Sequence, residues 1–165
     1  MTHGVRITYA ISFEGWRISE RGWQHLEQLF AQLSPYQGRP FTPDVFKRLT
    51  NQSHYLIAED HERECAIVGM VRLVSQIDQT SHRHYGVLHD EVVNPGYRGR
   101  GIGTALTQAA IVIAKKFAYI HVDAFVKAKP TRISANKMYV SLDFELITPA
   151  DPDDHESANH YRLVL

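Results

Sequence analysis

The chain has 165 residues, 44% hydrophobic and 22% charged, which suits one soluble domain spanning residues 1–165 with a sizeable core. Eighteen basic and eighteen acidic residues cancel, so the basic excess of a dedicated nucleic-acid binder is absent. No uncharged run reaches the ~18 residues of a membrane span, and the single Cys65 excludes an internal disulfide.

The N-terminal segment carries Arg6, Glu14 and Arg17 in place of a signal-peptide core. The expectation is a cytoplasmic protein with neither nucleic acid nor membrane as partner. Ten histidines leave room for added positive charge as pH falls through about 6.5.

In chain order, Val5 to Phe13 alternates as a strand, with Val5, Ile7, Tyr9 and Ile11 on one face. Ser19 then caps a helix whose apolar face is Trp23, Leu26, Leu29, Phe30 and Leu33. Ser34 to Phe41 holds two prolines and a glycine and reads as loop, and Thr42-Pro43-Asp44 starts a short helix through Leu49. His54 to Glu59 and Ala66 to Val74 form a predicted hairpin around the charged turn Asp60 to Glu64.

Ile77 to Arg83 is a polar connection. Tyr85 to Val93 is a further strand, stopped by Asn94-Pro95-Gly96. Ile102, Leu106, Ala109, Ile113 and Phe117 mark one face of a long helix. A strand over Tyr119 to Val126 and a helix over Thr131 to Leu142 follow. Phe144 to Ile147 and His160 to Leu165 make a closing strand pair around the polar loop Pro149 to Ala158. The pattern predicts an α/β or α+β domain, its sheet mostly antiparallel early, with a β-α-β unit late.

The most distinctive segment is Arg98-Gly99-Arg100-Gly101-Ile102-Gly103, between a predicted strand and a predicted helix. Its glycines remove side chains where backbone must approach a partner closely. The helix start supplies unpaired N–H groups and a positive dipole end, so the segment suits an anion, above all a phosphate. A Walker loop would need a Gly-Lys-Ser/Thr ending, and no lysine stands in place. A dinucleotide fingerprint needs a third glycine where Thr104 or Leu106 stands. Both nucleotide motifs fail on spacing.

The wider string Val92-Val93-Asn94-Pro95-Gly96-Tyr97-Arg98-Gly99-Arg100-Gly101-Ile102-Gly103 resembles the acyl-CoA signature of the GNAT N-acetyltransferase superfamily, Arg/Gln-x-x-Gly-x-Gly/Ala after a strand ending in Val-x-Pro. A second string, Pro130-Thr131-Arg132-Ile133-Ser134-Ala135-Asn136-Lys137-Met138-Tyr139 followed by Asp143-Phe144, is similar to that family's closing segment. With Asn159-x-Tyr161-Arg162, it resembles a subgroup of small bacterial acetyltransferases. The likeness is close over residues 54 to 165 and only general before them. Asp143 stands where the family has glycine, which predicts a strained left-handed helix end.

The resemblance implies the GNAT acyl-CoA N-acyltransferase fold, a central mixed, mostly antiparallel sheet flanked by helices. It implies acetyl transfer from acetyl-CoA to a primary amine by direct attack in a ternary complex. Arg98, Gly99, Arg100, Gly101, Ile102, Gly103 and Thr104 would hold the pyrophosphate. Edge groups of Val92 and Val93 would hold the pantetheine arm, and Asn136 would bond the cofactor. Tyr139 is the expected acid for the departing thiolate. Asp90, matching an acidic position of amino-sugar acetyltransferases, is the first candidate base, with Glu91 second and Asp123 weaker; Asp90 and Glu91 cannot share a face without a bulge.

No metal is expected, because His82, His84 and His89 supply no third ligand. Cys65 reads as a packed strand residue. Trp16, Trp23, Tyr36, Phe41 and Phe46 either line the acceptor pocket or pack the first helices, and the resemblance makes Tyr36 to Phe41 the candidate rim. The expected partner is a small-molecule amine, and a homodimer is allowed. The alternatives are a protein lysine or N-terminal acetyltransferase, and a non-catalytic acyl-CoA-binding regulatory module on the same fold.

Overall fold

The computed structural model describes residues 4–10, 18–33, 42–50, 53–127, 133–151, 154 and 157–165. Its strands are β1 (Val5–Ala10), β2 (Ser53–Asp60), β3 (Ala66–Ile77), β4 (His84–Val93), β5 (His121–Lys127), β6 (Glu145–Thr148) and β7 (Ala158–Val164). Its helices are α1 (Glu20–Phe30), α2 (Pro43–Thr50), α3 (Ile102–Lys116) and α4 (Ile133–Ser141). The strands hydrogen-bond in the order β1-β2-β3-β4-β5-β7-β6. β1–β2, β2–β3, β5–β7 and β6–β7 pair antiparallel, and β4–β5 pairs parallel. This is the mixed, mostly antiparallel sheet that the sequence predicts.

The chain forms two compact units, Met1–Val74 with Asp90–Ala110, and Ser75–His89 with Ile111–Leu165. In the first unit, Ser19 caps α1 by accepting a bond from the Gly22 N–H at 3.1 Å. The capped helix then buries Leu26, Leu29 and Phe30 completely, as the i, i+3, i+4 spacing requires. These join Phe46 of α2, Tyr55 and Ile57 of β2, Met70 of β3 and Val92 of β4 in one apolar cluster. Aromatic edges lock it, with Trp23–Phe46 centroids at 5.5 Å and Phe46–Tyr55 at 4.9 Å. Trp23 and Phe46 therefore pack the core.

Three histidines make this fold acid-sensitive. Burial, and then the Arg21 charge, hold His25 below its ordinary 6.5, and its Nδ1 accepts a bond from the Ile67 N–H at 3.3 Å. Burial lowers His54 in the same direction. His121, in the second unit, is also lowered, by burial with Arg162 and His160 adding to it and Asp123 and Asp78 opposing. Below about 6.5 the unfolded chain therefore binds protons that the folded chain does not, so stability is full above that pH and falls as pH drops toward the lower folded values. The melting temperature should be lower at pH 5.5 than at pH 7.5, and His25→Gln should narrow the gap. Equal melting temperatures at the two pH values would refute this.

Several elements differ from the sequence reading. Cys65 is exposed in the β2–β3 turn, with Glu64 and Cys65 both at positive φ (53° and 56°), because the turn needs two left-handed residues before β3 begins. The buried face of α3 is Ile102, Leu106, Ala110 and Ala114. Ala109 and Ile113 are half-buried, and Phe117 lies past the helix end and is exposed. The i, i+4 series through small alanines fits a close-packed neighbour better than the bulkier face does. Asp143 has φ 63°, the expected left-handed terminus of α4. Trp16, Tyr36 to Phe41, Pro130 to Arg132 and the strand reading beyond Ala10 lie outside the described residues.

Candidate functional site

The glycine loop belongs to the first unit. Asn94 ends β4, its N–H bonding Val68 O of β3 at 2.8 Å and its side chain accepting from the Gly96 N–H at 3.0 Å. Pro95–Tyr97 forms one 3-10 turn, after which Gly99 (φ +73°) and Gly101 (φ +78°) adopt left-handed conformations that side chains rarely tolerate. A Cβ built on either glycine meets no atom within 4 Å. The loop thus bares its backbone to open space.

α3 begins directly behind, with the Ala105 N–H bonding Gly101 O at 3.0 Å. The N–H groups of the first turn, Ile102, Gly103 and Thr104, precede any intrahelical acceptor. Small backbone, open space and a helix N-terminus together make a cradle that fits a pyrophosphate.

The arginines brace this loop from behind. Arg98 donates through Nε to Val93 O at 3.0 Å and through a terminal nitrogen to Gln32 Oε1 at 2.8 Å. Arg100 donates to Gly96 O at 3.1 Å and lies 4.9 Å from the centroid of the Tyr97 ring. The Tyr97 hydroxyl in turn donates to Asp60 Oδ2 at 2.8 Å. Both arginines are exposed. The bonds of Gln32 to Arg98 and of Asp60 to Tyr97 escape sequence reading.

Asp90 and Glu91 lie in the same unit, at the end of β4. Asp90 has φ 53° within the strand, a local break in the pleat that lets successive side chains depart from strict alternation. Its carboxylate lies 2.7 Å from Arg72 Nε in a pair whose side chains are only 8% and 15% exposed. Arg72 is the partner that sequence reading misses. Glu91 Oε1 accepts from Thr107 Oγ1 of α3 at 3.4 Å. Val92 is buried in the apolar cluster, and Val93 is half-buried.

Asn136, Tyr139 and Asp123 belong to the second unit. Asn136 Oδ1 accepts from Tyr161 OH at 3.0 Å and from Asn159 Nδ2 at 3.2 Å, which leaves its NH2 as the donor it presents elsewhere. Tyr139 is buried, its ring 5.1 Å from Phe144 and stacked at 5.7 Å on Tyr161. Among the described residues of this unit, Asp123 is a firmly anchored carboxylate: Arg162 grips it twice, at 2.7 and 2.8 Å, with His160 Nε2 at 3.1 Å and His121 Nε2 at 3.6 Å. Burial raises its pKa, but the Arg162 bonds and charge and the two histidines outweigh this and hold the carboxyl below its usual range.

Arg162→Met would strip that carboxylate of its main partner. Because Arg162 is about a third exposed, the loss should be near the low end for a buried pair, about 3 kcal/mol. A thermal melt would read it as a drop of about 6–12 °C, and an unchanged melt would show that the histidines suffice.

Among the described residues, no group of three His, Cys, Asp or Glu side chains is placed to hold a metal ion, and no helix is long and apolar enough to cross a membrane. His84 Nδ1 instead lies 2.9 Å from Ser75 Oγ.

Comparison with known proteins converges on one family. The model of the acetyltransferase (GNAT) family matches residues 20–144. Among solved structures, the NatC complex bound to Gag peptide and CoA aligns at TM-score 0.72 and 18% identity, over 96% of this chain and 98% of that one. NAA60 of Arabidopsis thaliana, solved with a bisubstrate analogue, aligns at TM-score 0.72 and 16% identity, covering 97% and 99% of the two chains. yncA of Salmonella typhimurium, solved with its cofactor acetyl-CoA, aligns at TM-score 0.72 and 14% identity, covering 98% and 94%. No curated protein matches the sequence.

Proposed function

Because the chain belongs to the acetyltransferase (GNAT) family, we propose that it transfers the acetyl group of acetyl-CoA to the primary amine of a small-molecule acceptor, by direct attack with both substrates bound. The observation that carries this reading is the bare loop at Gly99 and Gly101, open in front and backed by the start of α3. There, backbone N–H groups from Arg100 to Thr104 bind the pyrophosphate, and Arg98 and Arg100 add charge while holding the loop's shape. Val92 and Val93 contribute backbone groups to the pantetheine arm, and Asn136 contributes its amide donor.

In the reaction, the neutral amine attacks the thioester carbonyl carbon, the C–N bond forms, and the C–S bond breaks with its electron pair on sulfur. Tyr139 gives its hydroxyl proton to that thiolate, since a phenol of reference pKa about 10 is matched to a thiol near 8.5. The acceptor must first lose a proton, because alkylamines have a pKa near 10.4. Asp90 and Glu91 supply negative charge at the break in β4. β3, β4 and α3 each begin in one unit and end in the other, which supports reading the chain as one domain.

The test is CoA-thiol release from acetyl-CoA against a panel of small amines, lysine peptides and peptides with free N-termini. Turnover of small amines supports the proposal. Turnover confined to peptides replaces it with a protein acetyltransferase, and acetyl-CoA binding without any turnover points to a regulatory acyl-CoA-binding module.

A further inference from the structure

We propose that His160, oriented by Asp123, is the catalytic base that takes the proton from the acceptor amine. The inference rests on the acetyl-transfer reading and assigns a residue to it. Contacts within the second unit carry it. His160 Nε2 is buried and lies 3.1 Å from Asp123 Oδ2, an approach short of an aligned hydrogen bond that orients the ring by charge. Asp123 is itself immobilised by the two-pronged Arg162 contact.

A carboxylate facing Nε2 keeps the proton on that nitrogen and leaves Nδ1 with the basic lone pair. The His160 side chain is 19% exposed.

The position suits the task. His160 stands opposite Phe125 in the β5–β7 register, one residue past Leu88↔Ala124, where the parallel β4–β5 pairing ends. Its ring stacks on Phe125 at 4.6 Å and 18°, and Phe125 is 54% exposed, an apolar wall beside the imidazole. The next residue of β7, Tyr161, faces the other side of the ribbon and stacks on Tyr139. His160 and the proposed acid therefore stand on opposite faces of the β5–β7 ribbon. On β4, Asp90 faces Arg72 Nε at 2.7 Å and Glu91 accepts from Thr107 Oγ1 at 3.4 Å.

In the step, an ammonium N–H passes its proton to Nδ1, the nitrogen keeps the electron pair for attack, and the imidazolium is held by Asp123 until the proton leaves to water. The other groups that bear on it are His121, 3.6 Å from the same Asp123 oxygen and stacked on Tyr85, Arg162 with Glu145 of β6 opposite it in register, and Asp78 near His121.

The experiment uses the full chain. Calorimetry first measures acetyl-CoA binding, then thiol release is followed from pH 5.5 to 9 for wild type, His160→Gln, His160→Gly and Asp123→Asn. His160→Gln should leave acetyl-CoA affinity unchanged, lower kcat/KM roughly 100-fold and remove the acidic limb of the pH profile. Added imidazole should restore turnover to His160→Gly, which a merely structural role would not allow. Nitrogen-15 NMR should find His160 protonated at Nε2 in wild type, whether or not the panel contains the acceptor.

An unchanged acidic limb in His160→Gln, no imidazole rescue, or an Nδ1-protonated ring would overturn the assignment while leaving acetyl transfer intact. Failure to bind acetyl-CoA would overturn the donor reading and the base together.

Discussion

Gly101→Val should lower acetyl-CoA affinity at least ~100-fold, since losing two backbone bonds to a charged pyrophosphate costs about 3–6 kcal/mol. The valine side chain would occupy the open space that the loop backbone faces, where the protein itself offers nothing within 4 Å. Its second effect is on the chain. At φ +78° a β-branched residue is strained, which should cost about 1–2 kcal/mol and lower the melting temperature by several degrees. The motif alone suggests a binding defect with little loss of stability, and the backbone conformation corrects that. Calorimetry showing wild-type affinity would remove the loop from the donor site.

Tyr139→Phe should lower kcat roughly 100-fold with little change in KM, the signature of a proton-transfer group acting only in the transition state. The substitution keeps the ring that packs 5.1 Å from Phe144 and 5.7 Å from Tyr161, so the variant should melt close to wild type. Wild-type turnover in a folded variant would end the acid assignment. A fall in KM alongside kcat would instead indicate relief of ground-state strain.

Motifs built from short-range constraints are legible in the chain. Ser19 caps α1, Asn94-Pro95-Gly96 stops β4, and Gly99 and Gly101 take left-handed turns because only neighbouring residues decide those conformations. Asp143 likewise takes the left-handed end of α4 that its place before Phe144 predicts. The face of α3 and the exposure of Cys65 were less legible. In both, a one-residue difference in phase or turn length changes which side chain is buried, and only packing partners distant in sequence settle that phase.

The sequence by itself pointed to the donor, through a phosphate-suited glycine loop before a helix start and the likeness of its string Val92 to Gly103 to the family's acyl-CoA signature. It also determined the fold class, since strand and helix periods are local. Only the tertiary structure decided which carboxylates are already spoken for. Arg72 and Asp90 are eighteen positions apart and Asp123 and Arg162 thirty-nine, yet each pair meets at 2.7 Å. Charge pairing acts through space, and strand order brings β7 beside β5 ahead of β6. No spacing along the chain encodes that neighbourhood, so His160 acquires its carboxylate only when the sheet has formed.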